Sequence, residues 1–134
     1  MSRATPLLRN EFVELEVSFT DKVVIVRRTA LPFARLADIE STTDALARAL
    51  PIERRKNHSV LLDMRLAPVR TDASLEPAFS RYRSETERGF ERAVLVVTSV
   101  VGRMRSERLR QGTQIPVTIV GSLEEAWTVL REPA

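Results

Sequence analysis

The chain has 134 residues, of which 43% are hydrophobic and 29% are charged, a balance typical of one soluble globular domain rather than a disordered segment. It contains no cysteine, which excludes disulfides, thiolate nucleophiles and cysteine-ligated metal centres. The net charge is only +3, and nearly all basic residues are arginine, since Lys22 and Lys56 are the only lysines. This charge argues against nucleic acid as a partner and gives little support to an anionic membrane.

Other features of the sequence set expectations about location and chemistry. No apolar run approaches the ~18 residues of a membrane span, and the first residues lack the apolar core of a secretory signal. We therefore expect a cytoplasmic protein without membrane insertion. His58 is the only histidine, so a histidine-centred triad or a metal site is not expected. We expect no enzymatic activity, no catalytic residues and no cofactor.

The amino-terminal part of the chain predicts a hairpin. Residues 1–11 have no sustained pattern and are expected to be a loose lead-in to a single domain over 12–134. From Phe12 to Phe19 apolar residues alternate with polar ones, which predicts a half-exposed strand at the edge of a sheet. The continuous apolar run 23–26 predicts a deeper second strand, antiparallel to the first.

Alternating helices and strands are predicted for the middle of the chain. An amphipathic helix over about 34–50 ends at Pro51, and a buried strand over 58–63 ends at Asp63. A polar loop leads from Asp63 to a helix beginning near Ser74, capped by Asp72 or Ser74. The apolar run 93–97 has no alternation, so it predicts a strand covered on both faces.

The carboxyl-terminal part repeats the same unit. A helix from about residue 100 or 101 to Gln111 is expected to end at Gly112. The last strand, 115–120, contains Pro116, which favours an edge position. Ser122 and Glu125 form a capping box that begins the final helix.

The order ββαβαβαβα predicts an α/β fold. The three strand–helix–strand crossovers require parallel strands with helices packed on the sheet. We therefore expect a mixed, mostly parallel five-stranded sheet with an N-terminal antiparallel hairpin and about four helices, with strands near 12–19, 22–28, 58–63, 92–98 and 115–120.

Over about residues 12–131 this order resembles the STAS family, the domain of sulfate transporters and anti-sigma-factor antagonists. In the antagonists, a strand ending in Asp leads to an Asp-Ser-Ser-Gly-like stretch at the start of the second helix, where one serine is phosphorylated. Asp63 matches the strand-terminal acid, and the segment 72–75 matches the motif in position. Ala73 stands where the phospho-acceptor would fall and Leu75 replaces the glycine, so the resemblance implies a STAS-like fold without a clear phosphoswitch.

The loop after the third predicted strand is the first candidate site. The carboxyl ends of parallel strands form the working edge of such sheets. The leading hypothesis is a regulatory or adaptor module that binds another protein through this loop and the following helix start, with the contacts Asp63, Arg65, Arg70, Thr71, Asp72 and Ser74. The structural alternatives are that Asp63 organises the loop by pairing with Arg65 or Arg70 and that Ser74 caps the helix.

The alternative function is binding of a small apolar or anionic ligand between the sheet and the helices. Its lining residues would be Phe79, Tyr82 and Phe90, although aromatic residues on an apolar face more often belong to the core. An apolar cavity at these residues would favour the ligand, whereas a packed interior with an exposed apolar rim around the loop would favour the protein partner. A homo-oligomer is compatible with either hypothesis.

Overall fold

The computed structural model describes residues 4–68, 72–109 and 115–132, which form one mixed sheet with helices on both faces. Six strands follow one another across the sheet in chain order: β1 (Thr5–Arg9), β2 (Val13–Ser18), β3 (Val23–Arg28), β4 (Ser59–Asp63), β5 (Ala93–Val96) and β6 (Val117–Val120). The β1–β2 and β2–β3 pairs are antiparallel, and β3 to β6 are parallel.

Four helices connect or follow the parallel strands: α1 (Leu36–Ala49), α2 (Glu76–Glu87), α3 (Val100–Leu109) and α4 (Leu123–Arg131). The first three are crossovers between parallel neighbours, which right-handed connections place on one face of the sheet. The fourth packs on the opposite face. Short 3₁₀ turns at Ile52–Arg54 and Ala73–Leu75 precede β4 and α2.

Side-chain alternation along the inner strands divides the core between the two faces. In β3, Val24 and Val26 belong to the cluster covered by α1 and α2, while Val23 and Ile25 belong to the cluster covered by α4. β4 and β5 divide in the same way. These strands lack alternating polar residues because both of their faces are buried.

The predicted α/β class, the mostly parallel sheet, the hairpin and the four helices are confirmed. β6 lies at an edge of the sheet, as predicted, although Pro116 precedes the strand instead of lying within it. The Ser122 hydroxyl accepts a hydrogen bond from the Glu125 backbone N–H at 3.1 Å, which is the predicted cap. The predicted end of α3 at Gly112 lies outside the described residues.

The sheet has six strands rather than five, because residues 5–9 form β1 instead of a loose lead-in. The expectation that the alternating strand lies at the edge is therefore wrong. β1 covers it, and the alternation of β2 arises because one face meets the core while the other is half-exposed. Pro6 lacks an N–H, which an edge strand tolerates, and the pairing is irregular between Pro6 and Leu8. Leu7 and Leu8 pack against the core and hold the strand in place.

In the part of the chain that the structure describes, none of the helices has the length and apolar character needed to cross a membrane.

Candidate functional site

A cavity of about 330 Å³ opens between α2 and α3 at the carboxyl ends of β3, β4 and β5. Its floor is formed by Val26, Leu62 and Leu95, one side chain from each of the three strands. The remaining apolar and hydroxyl lining comes from the helices and loops: Met64, Ala67, Pro68, Phe79, Tyr82, Thr86, Val97, Thr98, Ser99, Val101, Gly102 and Ser106. The cavity thus lies at the edge where open parallel sheets bind their ligands.

The space exists because α3 presents small residues to the sheet. In the part of this helix whose side chains are described, Gly102 and Ser106 are the half-buried positions, and neither fills the volume above β4 and β5. A Cβ atom on Gly102 would lie 2.7 Å from the Ser99 Oγ and 2.8 Å from a Val97 methyl carbon. Such distances are clashes, so a larger residue at this position would displace the side chains of Ser99 and Val97.

Arg28 brings a buried positive charge to the cavity wall. The side chain is only 4% exposed and lies at the end of β3. Its Nε donates to the Phe12 carbonyl at 3.0 Å and its Nη2 donates to the Leu31 carbonyl at 2.9 Å. Among the described residues, no group accepts a hydrogen bond from the remaining nitrogen, Nη1. Nη1 is not fully buried, so an acceptor in the cavity or in solvent can reach it.

An aromatic cluster holds this guanidinium in place. Its central carbon lies 4.1 Å from the centroid of the Phe33 ring, a cation–π contact. The Phe33 ring in turn meets Phe79 and Tyr82 edge to face, with centroids 5.7 and 5.6 Å away. Burial lowers the pKa of Arg28, while Tyr82 acts in the opposite direction. An arginine remains protonated at neutral pH after such a shift, so the wall stays cationic.

Within the described residues, three further arginines line the cavity: Arg65, Arg83 and Arg105. Arg83 donates to the Glu76 carboxylate, and Arg65 donates to the Asp63 carboxylate through Nε and Nη2, both at 2.9 Å. These two charges are neutralised by local partners, whereas no ion pair is formed by Arg28 within the described residues. The lining is therefore apolar with a cationic wall.

A second buried arginine, Arg55, shows the contrasting arrangement. Its Nε donates to the Leu50 carbonyl, its Nη1 to the Glu85 and Arg88 carbonyls, and its Nη2 to the Glu85 carboxylate. Every nitrogen is satisfied, and the side chain lies away from the cavity. We interpret Arg55 as a structural tie between the end of α1 and the end of α2.

Asp63 is buried on the opposite face of the sheet from the cavity floor. Its carboxylate accepts hydrogen bonds from the Arg65 backbone and side chain, and the Arg27 Nε lies 3.4 Å from its Oδ2. Burial raises the pKa of Asp63, but the hydrogen bonds from Arg65 and the charges of Arg65 and Arg27 outweigh it, so the pKa is lowered. The carboxylate fixes the start of the loop.

The rest of the predicted partner-binding loop is only partly described. Arg70 and Thr71 lie outside the described residues. The exposed Asp72 carboxylate accepts hydrogen bonds from the Ser74 backbone N–H at 2.9 Å and from the Ser74 hydroxyl at 2.6 Å. These hydrogen bonds lower the pKa of Asp72. Asp72 therefore caps the 3₁₀ turn before α2.

The structure brings together some of the predicted side chains and separates others. Phe79 and Tyr82 line the cavity and Arg65 borders it, whereas Phe90 lies at the far end of α2, against Arg55. Arg28 was missed by sequence reasoning. A signal was present, because Arg28 continues the alternation of Val24 and Val26 and is thus a charged residue at a core-facing position.

No group of three or more histidine or acidic side chains suited to a metal ion occurs within the residues that the structure describes.

Among solved structures, the chain is similar to an uncharacterized protein of the DUF3478 family with a SpoIIAA-like fold from Shewanella loihica PV-4. The two have 14% sequence identity, the match covers 97% of each chain, and the TM-score is 0.61. No protein-family model and no curated protein matches this chain. At this identity the similarity shows the fold alone, and it confirms the STAS-like fold expected from the order of elements.

Proposed function

We propose that this protein binds, without transforming, a small anionic molecule with a largely apolar body in the cavity between α2 and α3. The observation that carries the proposal is the position of Arg28, a buried guanidinium on the wall of an apolar cavity with one nitrogen lacking a partner among the described residues. An anionic group of a ligand would supply that partner.

The size and lining of the cavity support a small-molecule ligand. A volume of about 330 Å³ lies at the lower end of the ~300–1,000 Å³ of ligand pockets, which are mostly apolar with a few polar groups that set orientation. Three adjacent strands form the floor, and two spacings between strands amount to about 10 Å. The ligand is therefore a compact amphiphile, such as a medium-length acyl chain, rather than a polymer.

The chemistry of the guanidinium favours a carboxylate or a phosphate as the anionic group. Arginine binds either through charge-assisted hydrogen bonds that are roughly twice as strong as neutral ones. Because the Arg28 side chain is already desolvated and held by Phe12, Leu31 and Phe33, little ordering is needed when the ligand binds.

A second candidate function is recognition of another protein through the loop after β4 and the start of α2. Leu66 in this loop is 62% exposed, which is the kind of apolar side chain that a partner would cover. The same loop borders the cavity through Arg65, Ala67 and Pro68. A bound ligand would contact this surface, so the two functions are compatible.

Isothermal titration with a series of ten-carbon amphiphiles tests the ligand proposal. Decanoate and decyl phosphate are expected to bind, decan-1-ol to bind about tenfold more weakly or worse, and decyltrimethylammonium not to bind. Arg28→Met is expected to weaken both anions by about 10- to 100-fold and to change the affinity for decan-1-ol little, because only the charge-assisted contact is removed.

A pair of matched substitutions shows whether binding occurs in the cavity. Val97→Phe places a larger side chain in the cavity wall and is expected to abolish binding. Val129→Phe makes the same change on α4, on the opposite face, and is expected to leave binding intact. Equal affinity for anionic, neutral and cationic amphiphiles, or full affinity in folded Val97→Phe, would contradict the proposal.

A further inference from the structure

The outer face of α3 is unusually apolar. Val100, Val101 and Met104 are between 64% and 76% exposed, while among the side chains described for Val100 to Arg108 the half-buried positions are Gly102 and Ser106. A helix packed on a sheet normally buries its large apolar residues and exposes the small or polar ones. This helix does the reverse, and monomeric proteins rarely leave such side chains clustered without a partner.

The orientation of α3 is built into its first turn. Gly102 fits closely against Val97 and Ser99, and its backbone N–H donates to the Ser99 Oγ at 3.0 Å. Rotating the helix to bury Val101 would replace this glycine contact with a branched side chain where even a Cβ atom clashes. The apolar face therefore stays exposed until something covers it.

Basic residues continue the same face one turn later. Arg105 follows Val101 and Arg108 follows Met104 at a spacing of four residues, so the apolar turn leads directly into a cationic one. Arg103 lies outside this face, donates to the Ile119 carbonyl and lies 3.5 Å from the Glu107 carboxylate. The covering surface must therefore be both apolar and anionic.

This face is continuous with the mouth of the cavity. Val101 and Arg105 line the cavity as well as belonging to α3. Across the opening, the exposed Leu66 lies between Arg65 and Ala67, which also line it. A surface that covered α3 would thus adjoin the opening through which a ligand must pass.

We propose that the outer face of α3, together with Leu66, docks on an anionic membrane surface, from which the cavity takes its amphiphilic ligand. This inference rests on the ligand-binding function proposed above. Shallow insertion of aliphatic side chains beside arginines that meet lipid phosphates is how amphipathic segments bind anionic bilayers. A symmetric contact with a second copy would instead bring Arg105 and Arg108 of both copies into one interface, which is electrostatically unfavourable.

Co-sedimentation of the full chain with lipid vesicles tests the docking. The protein is expected to sediment with vesicles of phosphatidylglycerol and phosphatidylcholine, less as salt is added, and not with phosphatidylcholine alone. The double variant Val100→Asn/Met104→Gln is expected to lower the partition coefficient by about tenfold or more, since apolar burial by two side chains is lost. Phe19→Asn/Ile52→Asn removes two exposed apolar residues that precede β3 and β4, at the other end of the sheet, and should not change sedimentation.

The outcomes separate docking from ligand binding, because neither Val100 nor Met104 lines the cavity. Decanoate affinity in solution is expected to be the same in Val100→Asn/Met104→Gln as in the wild type. If decanoate binds but the wild type does not sediment with anionic vesicles, docking is refuted and the ligand proposal stands. If the wild type sediments but no amphiphile binds, the ligand proposal fails and α3 still docks.

Two further results would assign the face to other occupants. A dimer in light scattering that the α3 double variant dissociates would assign it to a second copy of the chain. Tighter capture by an immobilised acidic peptide than by anionic vesicles, lost in the same variant, would assign it to an acidic protein. Either result would overturn membrane docking.

Discussion

Leu95→Ala and Leu61→Ala are expected to destabilise the protein by different amounts, although each side chain is only 1% exposed. The two residues lie on neighbouring parallel strands, in the middle of the sheet. Leu61 faces the closely packed layer under α4, whereas Leu95 forms part of the cavity floor. The comparison therefore holds residue type and burial constant and varies only the packing around the deleted atoms.

The magnitudes follow from two contributions. Replacing a buried leucine with alanine costs about 2–5 kcal/mol, from the lost transfer free energy plus roughly 24 cal/mol for each Å³ of new void. For Leu61 the void is newly created inside a packed layer, so we expect about 3.5–5 kcal/mol. Leu95 is buried but borders the cavity, so the space left by its deleted atoms joins that cavity instead of forming a separate void, and we expect about 2–3 kcal/mol.

Urea unfolding monitored by circular dichroism measures the change in the free energy of unfolding for both variants. The dependence of that free energy on urea concentration is compared between the variants and the wild type, to check that unfolding remains two-state. A cost for Leu95→Ala equal to or above that for Leu61→Ala would mean that the space above β5 is packed, and the cavity would not exist in solution. A cost below about 1 kcal/mol would contradict the central, buried position of β5. As a further check, Leu95→Ala should favour a longer amphiphile than the wild type does.

Four other predictions concern the remaining charged and polar groups. The pKa of Asp63 is lowered in the folded state, so its ion pairs stabilise the protein above about pH 4, and this contribution is lost as the pH falls through the folded pKa. Urea unfolding between pH 7 and pH 3 should show that Asp63→Asn is less stable than the wild type at pH 7. The free energy of unfolding of the variant should also fall less steeply with decreasing pH. Arg55→Met should lower the free energy of unfolding by about 3–5 kcal/mol, since it leaves the buried Glu85 with only the longer ion pair to the exposed Arg88. Arg81→Met, which breaks an exposed pair with Glu40, should change it by less than about 1 kcal/mol. Intact-mass analysis of the native protein should show no phosphate on Ser74 or Thr71, because a phosphate on Ser74 would lie beside the Asp72 carboxylate; a stoichiometric phosphate there would restore the phosphoswitch. In capture from native lysate, Arg70→Glu should lose a specific partner while keeping its melting temperature, and unchanged capture would remove the loop from the recognition surface.

The elements that the sequence predicted best are those whose own residues decide their structure. Residues 93–97 are apolar without interruption, and such a run has few alternatives to a strand buried on both faces. β1 could not be predicted in this way. The segment Thr5–Arg9 contains Pro6 and has no periodicity, and it is a strand only because β2 offers it an edge and the core accepts Leu7 and Leu8.

The candidate site was predictable only in part. Phe79 and Tyr82 share a helical face with the core, so their presence at the sheet–helix layer follows from the spacing. The cavity itself depends on what α3 does not fill, and the small residues Gly102 and Ser106 carry no pattern that marks an empty volume. Phe90, like Phe79, is an aromatic residue beside an apolar face, and this is why the sequence predicted both as lining residues. Phe90 follows α2, however, and contacts Arg55 at the other end of the layer.

Methyl chemical shifts during titration of isotope-labelled protein with decanoate test the occupied cavity most directly, because the same strands supply methyl groups to both faces. Binding in the cavity predicts saturable shifts of the methyl groups that line it, those of Val26, Leu62, Leu95, Val97 and Val101. The methyl groups under α4, those of Val23, Leu61 and Val94, should stay unchanged. Saturable shifts confined to the α4 face, or no shift at any of these positions at millimolar decanoate, would contradict a ligand site between α2 and α3.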